Sequence, residues 1–213
     1  MKGLLYKDFI NLQRNAKLML LPLLIFAVAF LPSASAGLYP MTISILASRF
    51  VISAFSFDEQ SQWTKYALTT PVSRKEYVAE KFVLLLFFSI TGALFGLAVA
   101  MVGNLCFHIS ILFDSLLFFT IFGMFLSIIF GCVTVMLIFR FGTENARALS
   151  FLFFLIPFGL CFALHEILRT LQFQLPFTQV WMLFIGSALV VIGLSYLIYR
   201  ISISIFSKKE LSS

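Results

Sequence analysis

Charge is what this sequence has least of. Only 11% of its 213 residues are charged, against 61% hydrophobic, and the mean hydropathy is +1.05. A soluble domain is about a quarter charged and about half apolar. So little polar surface excludes a water-soluble fold and leaves lipid as the solvent. Histidine is nearly missing, with His108 and His165 only. The segment His165-Glu166-Ile167-Leu168-Arg169 lacks the second histidine of HExxH, which excludes a membrane zinc protease; Glu166 and Arg169 at i, i+3 form a local ion pair. No GxxxxGK[ST] occurs, so the chain does not itself cradle nucleotide phosphates. The three cysteines, Cys106, Cys132 and Cys161, are scattered without a CxxC and read as inert packing residues. There is no repeat, no low-complexity linker and no polar stretch long enough for an external capture domain. Carboxylates are missing from the apolar runs except for Asp114 near one end of the fourth, which argues against a proton-coupled carrier.

What is present is a series of apolar runs, rich in the 28 phenylalanines, separated by short basic segments. The runs cover about 17–31, 41–56, 82–102, 112–139, 149–164 and 180–199. The first, with its basic lead-in and Ala34-Ser35-Ala36, imitates a secretory signal, but that lead-in is unusually long and a retained span is expected. The fourth exceeds the ~20 residues a span needs and should tilt or protrude. The net charge of +6 would suggest nucleic acid in a soluble protein; here the basic residues flank the runs, where they set topology and touch anionic headgroups, and no nucleic-acid partner is expected. One side collects Lys2, Lys7, Arg14, Lys17, Lys65, Arg74, Lys75, Lys81, Arg140, Arg147, Arg200, Lys208 and Lys209, and the other only Arg169. The expectation is an all-α polytopic protein of the cell membrane forming one domain, with six transmembrane helices and both termini cytoplasmic. At the N-terminus, Leu5, Phe9 and Leu12 share one helical face and Lys7, Asn11 and Arg14 another, which suits an interfacial helix over 1–16.

The longest polar segment is 57–81, FDEQSQWTKYALTTPVSRKEYVAEK. Two capping boxes are legible, Ser56 with Glu59 and Ser73 with Glu76, and the second should open a helix that continues into the third span. Between them Trp63, Tyr66, Ala67 and Thr70 recur at helical spacing until Pro71 stops the helix. The residues alone leave open whether Trp63 and Tyr66 dock on a partner or rest on headgroups.

The pattern DExxxWxxYALTxPVSRKEYVxxK between the second and third runs resembles the permeases of the type-2 ABC exporter class. More narrowly it is similar to small six-span bacterial permeases of peptide-toxin and antimicrobial-peptide exporters. The opening MKGLLYKDF and the loop from Arg140 to Arg147 resemble the same family, so the resemblance covers essentially the whole chain. It implies that 57–81 carries a cytoplasmic coupling helix seated in a groove of a separate ATP-binding cassette subunit. The contact residues would be Trp63, Tyr66, Thr70, Pro71, Ser73, Arg74 and Glu76, with Gly142 and Glu144 as a smaller second contact. It also implies a second copy, or a homologous permease, as partner, ATP and Mg on the ATP-binding subunit, no cofactor on this chain, and no catalysis by it. A rival of another class is a membrane immunity or binding protein that sequesters a toxin or antimicrobial peptide without ATP.

Within the membrane, Arg49 is the one charge deep in an expected span. Thr42, Arg49, Ser53 and Ser56 fall within a narrow helical arc, interrupted by Leu46, and are read as a polar stripe lining a translocation path. Asp114 is the alternative partner for Arg49. Small residues every four positions, Gly92 and Gly96, then Gly123, Ser127 and Gly131, permit close helix approach, expected within one chain rather than at a dimer seam.

Overall fold

The structure, a computed structural model, describes residues 2–14, 16–30, 38–67, 69, 73–107, 112–150, 152 and 177–208. It is all-helical, with no strand among the described residues. The helices are α1 (Lys2–Arg14), α2 (Ala16–Phe30), α3 (Tyr39–Ser48), α4 (Phe50–Gln60), α5 (Trp63–Ala67), α6 (Arg74–Cys106), α7 (Phe113–Phe141), α8 (143–150) and α9 (Phe177–Lys208).

Among the described residues, four stretches are long and apolar enough to cross a bilayer: Tyr39–Gln60, Arg74–Cys106, Phe113–Phe141 and Gly186–Lys208. They correspond to the second, third, fourth and sixth expected spans. The first falls on α2, whose 15 residues, with Pro22 among them, are fewer than the ~20 that a span needs. The fifth, at 149–164, lies outside the described residues apart from 149, 150 and 152.

The second span is one rod with a joint. Pro40 opens α3 in the first turn, where its missing N–H costs nothing. At Arg49 the N–H bonds to the Leu46 carbonyl at 3.1 Å, three residues back instead of four, and Ile52 N–H bonds to the Arg49 carbonyl at 3.0 Å. The Ile45 carbonyl released by this tightening accepts the Ser48 hydroxyl at 2.7 Å. The rod then runs on to Gln60, about one turn into the segment expected to be loop. This corrects the first capping box: Ser56 lies inside a helix and donates to the Ile52 carbonyl at 3.1 Å. The second box forms. Ser73 N–H donates to Glu76 Oε2 at 2.9 Å, Glu76 N–H donates to Ser73 Oγ at 3.2 Å, and α6 runs on from there.

Helix α3 is wedged between α6 and α7. Gly92 meets Ala47 so closely that a Cβ there would overlap it, Gly123 does the same at Met41, and a Cβ on Gly96 would lie 2.8 Å from Pro40 Cα. The small-residue spacing therefore serves packing inside one chain. The wedge is also tied by polar contacts: Ser44 sits 3.0 Å from Ser127 Oγ and 3.2 Å from the Ser89 carbonyl. Two apolar cores result. One gathers Tyr39, Ile43, Leu23, Ala100 and Leu116; the other gathers Val51, Phe55, Leu84, Leu85, Val135 and Phe139 around the α4 end of the rod. Over Gly186–Lys208, most of the apolar surface of α9 faces outward, with Leu189, Val190 and Ile192 exposed.

α1 packs beside this second core, but on a face turned by about one residue from the expected one. Leu4, Asp8 and Leu12 are buried at i, i+4, i+8. Phe9 instead presents its edge to Phe87, ring centroids 4.9 Å apart.

Candidate functional site

Four charged side chains from three helices meet where α1, α4 and α6 converge. Lys81 Nζ lies 2.5 Å from Asp8 Oδ2 and 2.6 Å from Asp58 Oδ2; Lys7 Nζ lies 2.8 Å from Asp8 Oδ1 and also bonds Asp58 Oδ1. Each lysine thus touches both aspartates, and the charges alternate around a closed ring. Lys81, Asp8 and Asp58 are 0%, 1% and 2% exposed, so water contributes almost nothing to their solvation. A lone ion at that depth would cost several kcal/mol, on the order of what a well-made pair recovers. Tyr77 donates to Asp58 Oδ2 at 2.9 Å, Thr64 reaches Tyr77 Oη at 3.2 Å, and Glu80 lies 3.5 Å from Lys81. The rings of Phe55 and Tyr77 cover the remaining faces of the Lys81 ammonium, at 5.1 and 5.4 Å. Burial opposes ionisation of Asp8. The Lys81 charge, a hydrogen bond with the Glu80 carboxyl and the bonds from Lys7 and Lys81 outweigh it and hold Asp8 below the usual carboxylate range.

The short helix α5 sits on this ring. Gln62, in the left-handed region at φ 50°, turns the chain from α4 into α5. Trp63 is half-buried with its ring 4.7 Å from Lys7 Nζ, and its indole N–H is buried with no hydrogen-bond acceptor among the described residues. Tyr66, 5.3 Å from Trp63 between centroids, is 61% exposed. The two aromatics therefore divide: one reads the ring of charges and the other faces outward.

A second junction lies beside it. α7 ends at Gly142, whose φ of 82° favours glycine, and α8 begins at Thr143. Thr143 does not cap the helix it opens. Its N–H donates to Glu59 Oε2 at 3.3 Å and its hydroxyl to the same oxygen, so the cap is a carboxylate from α4. A cavity of about 270 Å³ opens between these parts, lined by Asp58, Glu59, Thr64, Tyr77, Phe139 and Thr143 among others.

Arg49 occupies a different place. Its Nη1 donates to Thr134 Oγ1 at 3.1 Å. Thr134 lies twenty residues beyond Asp114 on α7, roughly 30 Å along a helix, so Asp114 is not the partner. Arg49 lines a cavity of about 390 Å³ with Ile45, Leu46, Ile52, Ser53, Arg147 and Ser150. Arg147 also donates to Ser56 Oγ at 3.1 Å. Thr42 is not part of this lining; it donates to the Tyr39 carbonyl at 2.9 Å within its own helix.

Of the other expected site residues, Ser73 and Glu76 are engaged in the capping box, and Arg74 donates to the Ser207 carbonyl at 2.6 Å, tying α6 to the end of α9. Glu144 is exposed. Thr70 and Pro71 lie outside the described residues. Sequence reasoning missed the ring of charges. The available signal was Tyr77, Glu80 and Lys81 at i, i+3, i+4, which places three polar groups on one stripe of a helix otherwise bound for lipid.

The chain matches, over residues 3–207, the family described as ABC-2 family transporter protein. It belongs to that family. A comparison with curated proteins returned no match. Family membership and the apolar helices together make it a multi-pass membrane protein of the ABC permease type. Such a permease is typically a non-catalytic membrane subunit, and membership implies an ATP-binding subunit as partner.

Proposed function

We propose that this ABC-2 family chain is the permease of an ATP-driven exporter. It moves an amphipathic or hydrophobic substrate, a peptide, outward across the cell membrane, working as a dimer with a second copy or a homologous permease. Both termini and α5 lie on the cytoplasmic side. ATP and Mg are bound and ATP is hydrolysed on the separate subunit. The observation that carries this reading is the seat of α5: an exposed Tyr66 stands next to Trp63, which rests on Lys7, which bonds residues of α1 and α4. A push on that short helix is delivered at once to the ends of three helices, because Lys7 and Lys81 share the same two aspartates. Tyr66, Trp63, Thr70, Pro71, Ser73, Arg74 and Glu76 form the main contact with the ATP-binding subunit, and Gly142 and Glu144 the smaller one. Thr42, Arg49 and Ser53 line the translocation path, where a buried cation suits a substrate carrying carboxylate groups.

The test is co-purification from the native host. Changing Trp63 and Tyr66 together to Ala is expected to abolish recovery of an ATPase with the tagged permease while the permease itself stays in the membrane fraction. Full recovery of the ATPase by this variant overturns the assignment of α5.

A further inference from the structure

The cavity between α3, α4 and α8 holds two guanidinium groups, and neither Arg49 nor Arg147 forms an ion pair with a carboxylate among the described residues. Their hydrogen bonds go to neutral hydroxyls, those of Thr134 and Ser56. The lining adds two further hydroxyls, Ser53 and Ser150, and otherwise consists of Ile45, Leu46 and Ile52. Arg49 is part-buried and Arg147 exposed; two cations without a carboxylate beside an apolar wall repel one another, so the site is set up for an anion that has an apolar body. The levels of the two cations narrow the choice. Arg147 bonds Ser56, seven residues from Arg49 and therefore ~10 Å along the rod toward its charged end. One cation stands near headgroup depth, and the other is rooted below it, on a stem long enough to bend toward the polar level.

We infer that this cavity binds the phosphate of an anionic phospholipid, drawn from the leaflet on the α5 side of the membrane. The planar fork of a guanidinium matches phosphate oxygens in pairs. The Ser53 hydroxyl donates to a remaining oxygen, the Ser150 hydroxyl being already given to the Arg147 carbonyl, and the acyl chains leave over Ile45, Leu46 and Ile52. A cavity of about 390 Å³ takes a headgroup and not a whole lipid, in keeping with chains that remain in the bilayer. The anionic lipids of the cytoplasmic leaflet are the abundant ligand of this chemistry, and basic pockets between spans on that side are where they bind. The inference concerns the permease at rest and holds whatever cargo later passes.

The full-length chain is purified in a neutral detergent and loaded with phosphatidylglycerol or phosphatidylcholine. Retained lipid is counted by mass spectrometry, and the melting temperature is followed. The wild-type chain is expected to retain phosphatidylglycerol selectively and to melt higher with it. Arg49→Gln with Arg147→Gln should retain it ~10-fold less, the loss of a charge-assisted contact. Arg200→Gln, which removes a charge elsewhere on the surface, should behave as wild type. Arg147→Gln alone, on an exposed residue, repeats the test without disturbing the rod. Equal retention of phosphatidylglycerol by wild type and both variants overturns the inference, as does equal stabilisation by phosphatidylcholine. The lipid assignment also falls if inorganic phosphate gives the same shift, or if an acidic amphipathic peptide gives it and the lipid does not. None of these readouts involves the ATPase, so they are independent of the co-purification result.

Discussion

Two groups of charge, one sealed and one only part-buried, sit in this protein about two and a half turns apart on the same rod, and they are solved in opposite ways. Around Lys81 the chain supplies its own counter-charges. Two lysines and two aspartates alternate, drawn from α1, α4 and α6, and the ring is sealed under Phe55, Tyr77 and Trp63. Around Arg49 the chain supplies a second cation and only hydroxyls. A buried charge neutralised from within fastens elements together, because every partner removed leaves another ion stranded. A buried charge left uncompensated asks for something from outside. The first arrangement is suited to carrying load and the second to holding a ligand.

That contrast can be broken first at the ring. Lys81→Met leaves Asp8 and Asp58 facing each other with Lys7 alone between them. A loss of ~3–5 kcal/mol is expected, the usual cost of breaking a buried pair. Thermal unfolding in detergent would show it, with partial recovery when Asp8→Asn is added. No loss on Lys81→Met would mean that the ring carries no weight.

A smaller effect is expected from making the arginine cavity resemble the ring. Ser53→Asp places a carboxylate one turn from Arg49 within the same lining. The variant should gain ~1.5–3 kcal/mol in phosphatidylcholine, the range for a hydrogen bond to a charged group, and lose its preference for phosphatidylglycerol. An unchanged lipid preference would show that Arg49 is not the group the lipid reads.

The smallest effect is in acid. Asp8 is held below its ordinary range, so the stability it contributes is fully present above the unfolded value, 3.8, and is lost as pH falls through the lower folded value. The difference in melting temperature between the chain and Asp8→Asn should accordingly hold steady down to about pH 4 and narrow below it. A decline beginning near neutrality would assign the sensitivity to another group.

The chain's periodicity made its helices legible, as local physics should. The Ser73–Glu76 box, the unbroken run of α6 and the glycine contacts of Gly92 and Gly96 all follow from residues within a turn or two of one another. Arg49 and Ser53 were found in the same way and do share a cavity. What could not be read was pairing across distance. Lys7 reaches Asp58 across 51 positions and Lys81 reaches Asp8 across 73. Nothing local announces such a partner, so Asp58 reads only as part of a polar segment and Lys81 as one of the basic residues flanking the runs. The same reason explains Glu59, which caps α8 from 84 positions away. Thr42 is a different case: its hydroxyl donates within its own helix, which spacing along a wheel does not reveal.

The joint at Arg49 has a mechanical consequence. On one side of it, α3 is gripped by glycines of α6 and α7 and cannot slide without collision. On the other, the last turn of α4 is held at Asp58 in the electrostatic clasp. Helix bends gather where the regular ladder is interrupted, and here that is a single peptide link with its bond drawn one residue short. Torque arriving at the clasp therefore has one compliant place to go, and that place is the backbone of the residue whose side chain reaches into the cavity.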